Sequence, residues 1–351
     1  MNLVSPMISL LPRPAYRTAY RAQQASIRYP VMAVHLFLAA FASQRQLPDA
    51  KAVRSLRRRY EDLLARDLRN VDRGLYPRKL LFQLPLRDYA KTLPGFLLDI
   101  PRVIWRSRRR DHRDVPQDID ARRFPAYFRQ TFHWQTDGYL SRRSARLYDL
   151  SVEFMFMGCA DVMRRQVIPP ISRFARRNRS HPLRILDVGC GTGRALCQIA
   201  SALPGHRYFG VDLSPYYLES ARQQLAEVPE VTLVAENAEQ LPFRDDYFDA
   251  VASVFLFHEL PRKARRQVMA EIARVLRPGG LLVIEDSAQL VESSDLAVFL
   301  ESFATQMHEP YYRDYVRDDL EQLIGEAGFE VGDTQRIWLS KVVCGTKPSA
   351  A

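Results

Sequence analysis

LDVGCGTGRAL, residues 186 to 196, sets glycines at 189, 191 and 193 directly after an apolar run interrupted by Asp187. A residue without a Cβ tolerates positive φ and lets another molecule press against the backbone. The preceding PLRILDV is rich in β-branched and apolar residues and predicts a strand; the following RALCQIASAL has apolar residues at helical spacing. Strand, glycine turn and helix in this order predict a nucleotide-like ligand on a helix N-terminus of an α/β sheet.

Outward from this turn the pattern repeats. YFGVDL, VTLVAEN, FDAVASVFLF and GGLLVIED read as strands with helical segments between them, and FEVGDTQRIWL and KVVCGTK close the series. Such alternation predicts an α/β fold, a mostly parallel sheet with helices on both faces, over residues 144–351. Residues 1–143 read as a mainly helical region. DAKAVRSLRRRYEDLLARDLRNV carries a stripe of Val53, Leu56, Tyr60, Leu63, Leu64 and Leu68, as on a long surface helix. Prolines at 77, 85, 94, 101, 116 and 125 predict short pieces after it, with WRSRRRDHRD and VPQDIDARRFP as charged, exposed loops.

The glycine spacing departs from the G-x-G-x-x-G of nicotinamide-binding folds, because the third glycine comes one residue early. Asp187, just before the loop, would oppose a pyrophosphate but suits a ligand with an amino group. Asp212 ends the second strand, where a carboxylate can take both hydroxyls of a ribose. Asn237 and Ala238 follow the third strand, where an amide and a backbone group can bracket an adenine.

With those residues in place, LDVGCGTG, GVDLS, NAEQLPFRDDYFDAV and RVLRPGGLLVIED resemble the class I S-adenosylmethionine-dependent methyltransferases. The nearest pattern is the type 11 group, which includes the ubiquinone/menaquinone C-methyltransferases. Order and spacing agree over residues 183–286, and SARLYDLSVEFMFMGCADVMRR is similar to the helix that precedes the first strand in the quinone enzymes. The resemblance implies a seven-stranded Rossmann-like sheet and S-adenosylmethionine as cofactor. It further implies that Asp187 and the loop of Gly189, Cys190, Gly191 and Gly193 hold the methionine part. Asp212 would hold the ribose, Leu213, Asn237 and Ala238 the adenine, and Tyr148 the neighbourhood of the sulfonium, with Ser253 completing the set.

The reacting side is read from position. His258, in SVFLFHELP, falls at the carboxyl edge of the fourth strand and can deprotonate a phenol, quinol or acidic carbon. A loop histidine bonded to backbone is the alternative. MHEPYYRDYVRDD, between the fifth and sixth strands, offers His308, Glu309, Tyr311 and Tyr312 to a substrate, and TFHWQTDGYL offers His133 and Trp134. His258-Glu259 and His308-Glu309 lack convergent spacing, so no metal is expected.

Charge divides the chain. Residues 1–146 hold 29 Lys and Arg against 12 Asp and Glu; the remainder holds 22 against 28. The basic half has no recognisable nucleic-acid motif, and its arginines alternate with leucines at helical spacing, so nucleic acid is not the expected partner. PGFLLDIPRVIW followed by RSRRR can lie on an anionic membrane surface through Phe96, Leu97, Ile100, Ile104 and Trp105, or pack on the sheet domain; both remain open. The longest apolar run, 31–42, is too short to cross a bilayer and reads as a buried helix. Four cysteines at no metal-ligand spacing, and no leader-like start, suit a cytoplasmic setting. The leading expectation is methyl transfer to a small aromatic or lipophilic acceptor, on carbon or oxygen. A nucleic-acid methyltransferase and a non-catalytic cofactor-binding module are the alternatives.

Overall fold

A computed structural model of the chain describes residues 11–40, 50–120 and 122–349. Before the first strand come helices α1 (Arg13–Ala40), α2 (Ala50–Asp72), α3 (Leu86–Arg109), α4 (Arg142–Met155), α5 (Ala160–Arg164) and α6 (Ile168–Arg177). Strand and helix then alternate: β1 (Arg184–Val188), α7 (Arg194–Ala202), β2 (Arg207–Asp212), α8 (Pro215–Gln224), β3 (Val231–Ala235), β4 (Phe248–Val254), α9 (Arg262–Val275) and β5 (Leu276–Ser287). Helices α10 (Ala297–Gln306), α11 (Tyr312–Tyr315) and α12 (Leu320–Glu326) lead to β6 (Glu330–Ile337) and β7 (Ser340–Thr346).

The seven strands lie in the order β3-β2-β1-β4-β5-β7-β6. All pairs are parallel except those of β7, which runs against both β5 and β6. Strand order reverses between β1 and β4, and a cleft opens at the carboxyl ends of the strands at such a point.

Side chains alternate across each strand, so β1 sends Ile185 to one apolar cluster and Leu186 and Val188 to the other. The first cluster also contains Tyr16 and Tyr20 of α1 and Tyr60, Leu63, Leu64 and Leu68 of α2. These helices therefore share one core with the sheet. Val53 is the exception to the expected stripe: it is exposed, and Ala52 is buried instead. At its centre Asp67 is fully buried and takes Arg165 at 2.6 Å and Tyr20 Oη at 2.5 Å, with Tyr76 Oη also donating to it.

Two local expectations give way. Pro94 and Pro101 do not break the chain: α3 runs through both. They are exposed, as are Ala90 and Leu97, whose carbonyls lose their i+4 partners, so those carbonyls can be hydrated. The segment WRSRRR is the end of that helix, and Arg106 within it is buried, donating to Trp134 O at 3.0 Å and to Asp114 at 3.2 Å. The apolar run at 31–42 is helical to Ala40, but Ala33 and Val34 are exposed, and positions 41 and 42 lie outside the described residues.

Candidate active site

The glycine loop is built by three different constraints. Gly189, Gly191 and Gly193 all have positive φ, at 74°, 53° and 77°. A Cβ on Gly189 would meet Leu256 at 3.1 Å, and one on Gly193 would meet Leu225 at 3.0 Å, so packing also requires these two. A Cβ on Gly191 would meet nothing within 4 Å. The open face of Gly191 belongs to the cleft. Cys190 buries its thiol against Gly210 and gives its N–H to Val211 O at 3.0 Å. Thr192 Oγ1 donates to Asp149 at 2.8 Å, tying the loop to α4.

Asp212 accepts the Gly191 N–H and the Ser214 N–H, both at 2.8 Å, one on each carboxylate oxygen. Each oxygen keeps a lone pair for a second donor. Burial raises this carboxyl to about 6 against the pull of the two N–H groups. Asp187 is more exposed energetically, though not to water. It is buried and neither of its oxygens has a hydrogen-bond partner among the described residues. Burial, with Asp212 nearby, pushes it up to about 7. Asp187 does not itself line the cleft that Gly189 and Gly191 open on, but an orphaned buried carboxylate two residues before that loop fits a ligand carrying a cationic amino group.

Of the expected cofactor residues, Tyr148, Gly189, Gly191, Asp212, Leu213, Asn237 and Ala238 line one cleft. Asn237 engages Glu239 through both ends of its amide, at 3.1 and 3.0 Å. Ser253 is placed differently, with its hydroxyl on Val188 O at 2.9 Å, where it ties β4 to β1. Aromatic residues that sequence reasoning missed close the cleft. Tyr139 stands edge-on to Tyr148 and Tyr217, with centroids 6.0 and 5.3 Å away, and Tyr127 and Phe128 complete the roof. Tyr217 is fixed by Gln135 Nε2 at 2.7 Å and Ser144 Oγ at 2.9 Å.

His258 is buried on a 3-10 turn after β4, with Nδ1 2.6 Å from Asp286 Oδ1 at the end of β5. Asp286 also accepts the Phe257 N–H at 2.7 Å. Burial works against a charge on the imidazole, yet Asp286 outweighs it and lifts His258 to about 9. Tyr312 and Tyr315 both stand edge-on to the ring, at 5.9 and 6.1 Å. His258 does not line the cofactor cleft; its neighbour Glu259 does. Asp286 was missed, although it ends the IED that the family resemblance already quotes.

The expected substrate residues separate into two groups. His133 and Glu309 meet, Nδ1 to Oε1 at 2.8 Å, and Glu259 approaches the other ring nitrogen at 3.5 Å. The short contact is off the axis of the ring N–H, so it is an ion contact and not a directed hydrogen bond. Burial disfavours the imidazolium, but Glu309 and Glu259 raise His133 to about 10. None of the six expected substrate residues lines the cofactor cleft, and of the remaining four only Tyr311 touches its roof, at Tyr127. Trp134 Nε1 donates to Gln306 O at 2.8 Å, and His308 is sandwiched by Trp134 and His112 at 4.8 and 4.9 Å. Burial and the two neighbouring histidines lower His308 to about 4. Tyr311 faces Tyr127 edge-on at 6.4 Å, and Tyr312 Oη bonds Ser287 Oγ at 2.6 Å.

Residues 186–284 match the family described as Methyltransferase domain. An O-methyltransferase of Aspergillus nomiae is 38% identical over 155 residues, 42% of this chain and 64% of that protein. An O-methyltransferase of Penicillium expansum is 37% identical over 160 residues, 44% of this chain and 54% of that protein. The demethylmenaquinone methyltransferase of Symbiobacterium thermophilum is 31% identical over 191 residues, 46% of this chain and 75% of that protein. The chain thus spans somewhat more than half the length of the two fungal enzymes it matches.

Proposed function

This chain belongs to the class I S-adenosylmethionine-dependent methyltransferases, and from that premise we propose that it methylates a small aromatic or lipophilic acceptor on carbon or oxygen. When bound, S-adenosylmethionine supplies a methyl group on a sulfonium, a carbon already activated for displacement. Asp187 is the residue to hold the cofactor's amino group, and Asp212 the ribose hydroxyls. The tyrosine roof excludes water and offers ring faces to a cation.

The acceptor class rests on one observation above others: His258 and Asp286 form a buried pair walled by Tyr312 and Tyr315. Asp286 holds the Nδ1 proton and lifts the ring to about 9. The neutral imidazole, whose share grows as the pH rises toward that value, is the form whose Nε2 takes a proton from a phenol, enol or acidic carbon as the methyl group arrives. Apolar, aromatic walls favour a ring or an acyl chain over a highly charged substrate.

The outer face of α3 supports uptake of such an acceptor from a membrane surface. Leu86, Leu93, Leu97, Leu98, Ile104 and Trp105 are all exposed on it, Leu98 by 73%. Arg87, Lys91, Arg102, Arg108 and Arg109 are exposed on the same helix. Cations beside an apolar stripe suit anionic headgroups over an acyl boundary. Among the described residues no helix is long and apolar enough to cross a membrane, so this contact would be in the plane of the surface.

The test is untargeted. The protein is incubated with methyl-labelled cofactor and, separately, a lipid extract and an aqueous metabolite extract. Label in an aromatic or acyl lipid supports the proposal. Label confined to nucleic acid, and abolished by nuclease, overturns it.

A further inference from the structure

Two acids that look unrelated in the sequence converge with a histidine from a third segment. His133 comes from the turn Phe132–Trp134, Glu259 from the turn Phe257–Glu259 after β4, and Glu309 from the link between α10 and α11. One ligand atom from each lies within 4.8 Å of the other two. We propose that His133, Glu259 and Glu309 form a binding site for a divalent first-row transition ion at the edge of the acceptor space.

Three further observations point to a ligand. Glu309 is buried, and neither of its carboxylate oxygens has a hydrogen-bond donor among the described residues. With both carboxylates ionised, a single imidazolium leaves an excess negative charge, which burial makes costly. A dication reverses that sign. His133 Nδ1 and the Glu309 oxygen beside it also approach to 2.8 Å without aligning as donor and acceptor.

The surroundings hold the three groups in place. His133 and Trp134 both have positive φ, at 53° and 56°. Such a pair of L residues is strained and needs support. Arg106 supplies it through Trp134 O, and Gln306 O receives the Trp134 indole N–H. Tyr139 Oη donates to Glu259, an outer contact of the kind that orients a ligating carboxylate.

The donor set selects the ion. One imidazole nitrogen and two carboxylates suit Mn²⁺, Fe²⁺ or Zn²⁺, whereas Mg²⁺ prefers oxygen alone and thiolate-seeking ions find no sulfur here. Three protein ligands leave positions open. Because Glu259 also lines the cofactor cleft, an ion held by it would lie beside a molecule bound there. An acceptor with a phenolic or enolic oxygen would bind the ion directly. That last step rests on the proposed methyl transfer; the ion site itself does not.

The experiment therefore reads metal and turnover separately. Full-length, metal-free protein is titrated with Mn²⁺, followed by electron paramagnetic resonance, and with Zn²⁺ by equilibrium dialysis, with no acceptor present. One ion per chain is expected. Glu309→Gln should weaken Mn²⁺ binding at least tenfold and His133→Asn should do the same, while both retain S-adenosylhomocysteine binding as the check on folding. Glu309→Asp, which keeps the charge, should bind more tightly than Glu309→Gln. Absence of stoichiometric binding of either ion to the wild-type chain overturns the site and leaves an imidazolium clamped by two carboxylates. Binding that survives both substitutions also overturns it. Metal binding without label transfer to any extract would retain the site and reject the methyl acceptor instead.

Discussion

His258 Nδ1 and Asp286 Oδ1 lie 2.6 Å apart, brought together because β4 and β5 are parallel neighbours that end side by side. If this pair removes the acceptor's proton, His258→Ala should lower turnover by roughly 10²–10⁴. Asp286→Asn keeps the shape but not the charge, and should lower turnover by at least about tenfold. Cofactor affinity, measured by calorimetry, should stay near wild type in both. Unchanged turnover would make His258 a packing residue and favour a thiol acceptor, which needs no base.

Asp187 predicts a pH dependence of cofactor binding. Its folded value is raised to about 7, and the ionised form is the one that pairs with an amino group. Affinity should therefore rise between pH 6 and 8, with a proton released on binding at the lower end. The same raised value is a stability cost, absent below the unfolded value near 4 and fully expressed above 7. Asp187→Asn should stabilise the empty protein by about 1–3 kcal/mol at pH 8 and by almost nothing at pH 4. It should also flatten the affinity profile. A mutant that melts lower at pH 8 would mean that an unseen partner already satisfies the carboxylate.

Asp67 tests whether the N-terminal helices belong to the same cooperative unit as the sheet. Removing it by Asp67→Ala strands the buried Arg165 and the hydroxyls of Tyr20 and Tyr76. A loss of about 3–5 kcal/mol in urea unfolding is expected. A change below about 1 kcal/mol would show that α1 and α2 unfold independently.

For α3 the measurement is sedimentation with vesicles. Full-length protein should pellet with phosphatidylglycerol vesicles at low salt, less so as salt rises, and not with phosphatidylcholine alone. Trp134 and Trp338 are buried, so a blue shift on binding would report Trp105. Replacing Leu97 and Leu98 together by Glu should abolish pelleting without lowering stability, because both side chains are exposed. Protein that remains in the supernatant at low salt sinks the membrane contact.

The cofactor half of the site was legible because its signals are local. Asp187, the glycines and Asp212 each sit at a fixed offset from the end of a strand, and the offset carries the chemistry. The other half depends on distance in space. Glu309 reads as a substrate contact and Glu259 only as part of a dipeptide, since nothing along the chain says that His133 lies between them. Asp286 stood in a quoted motif, but its role comes from its neighbour β4. On α3, the prolines read as breaks, and nothing along the chain says which apolar residues face outward. Phe96 packs inward on Phe154, with centroids 5.4 Å apart, while Leu93 and Leu98, which were not singled out, point outward.

The shared core has a consequence for synthesis on the ribosome. Tyr60 of α2 packs edge-on against Trp338 with centroids 6.0 Å apart, and Arg66 Nη1 donates to Gln335 Oε1 at 2.6 Å, on the edge strand β6. A helix translated early thus waits for the last two strands of the sheet. At roughly 5–20 residues per second the interval is on the order of tens of seconds. During it, a basic helix packed on α1 and on the turn that carries Arg165 still lacks the part of its native covering that Trp338 and β6 supply. Slowing translation between β5 and β6 should therefore lengthen the time the nascent chain spends with chaperones, and its yield should depend on them more than that of a methyltransferase whose first helices fold alone.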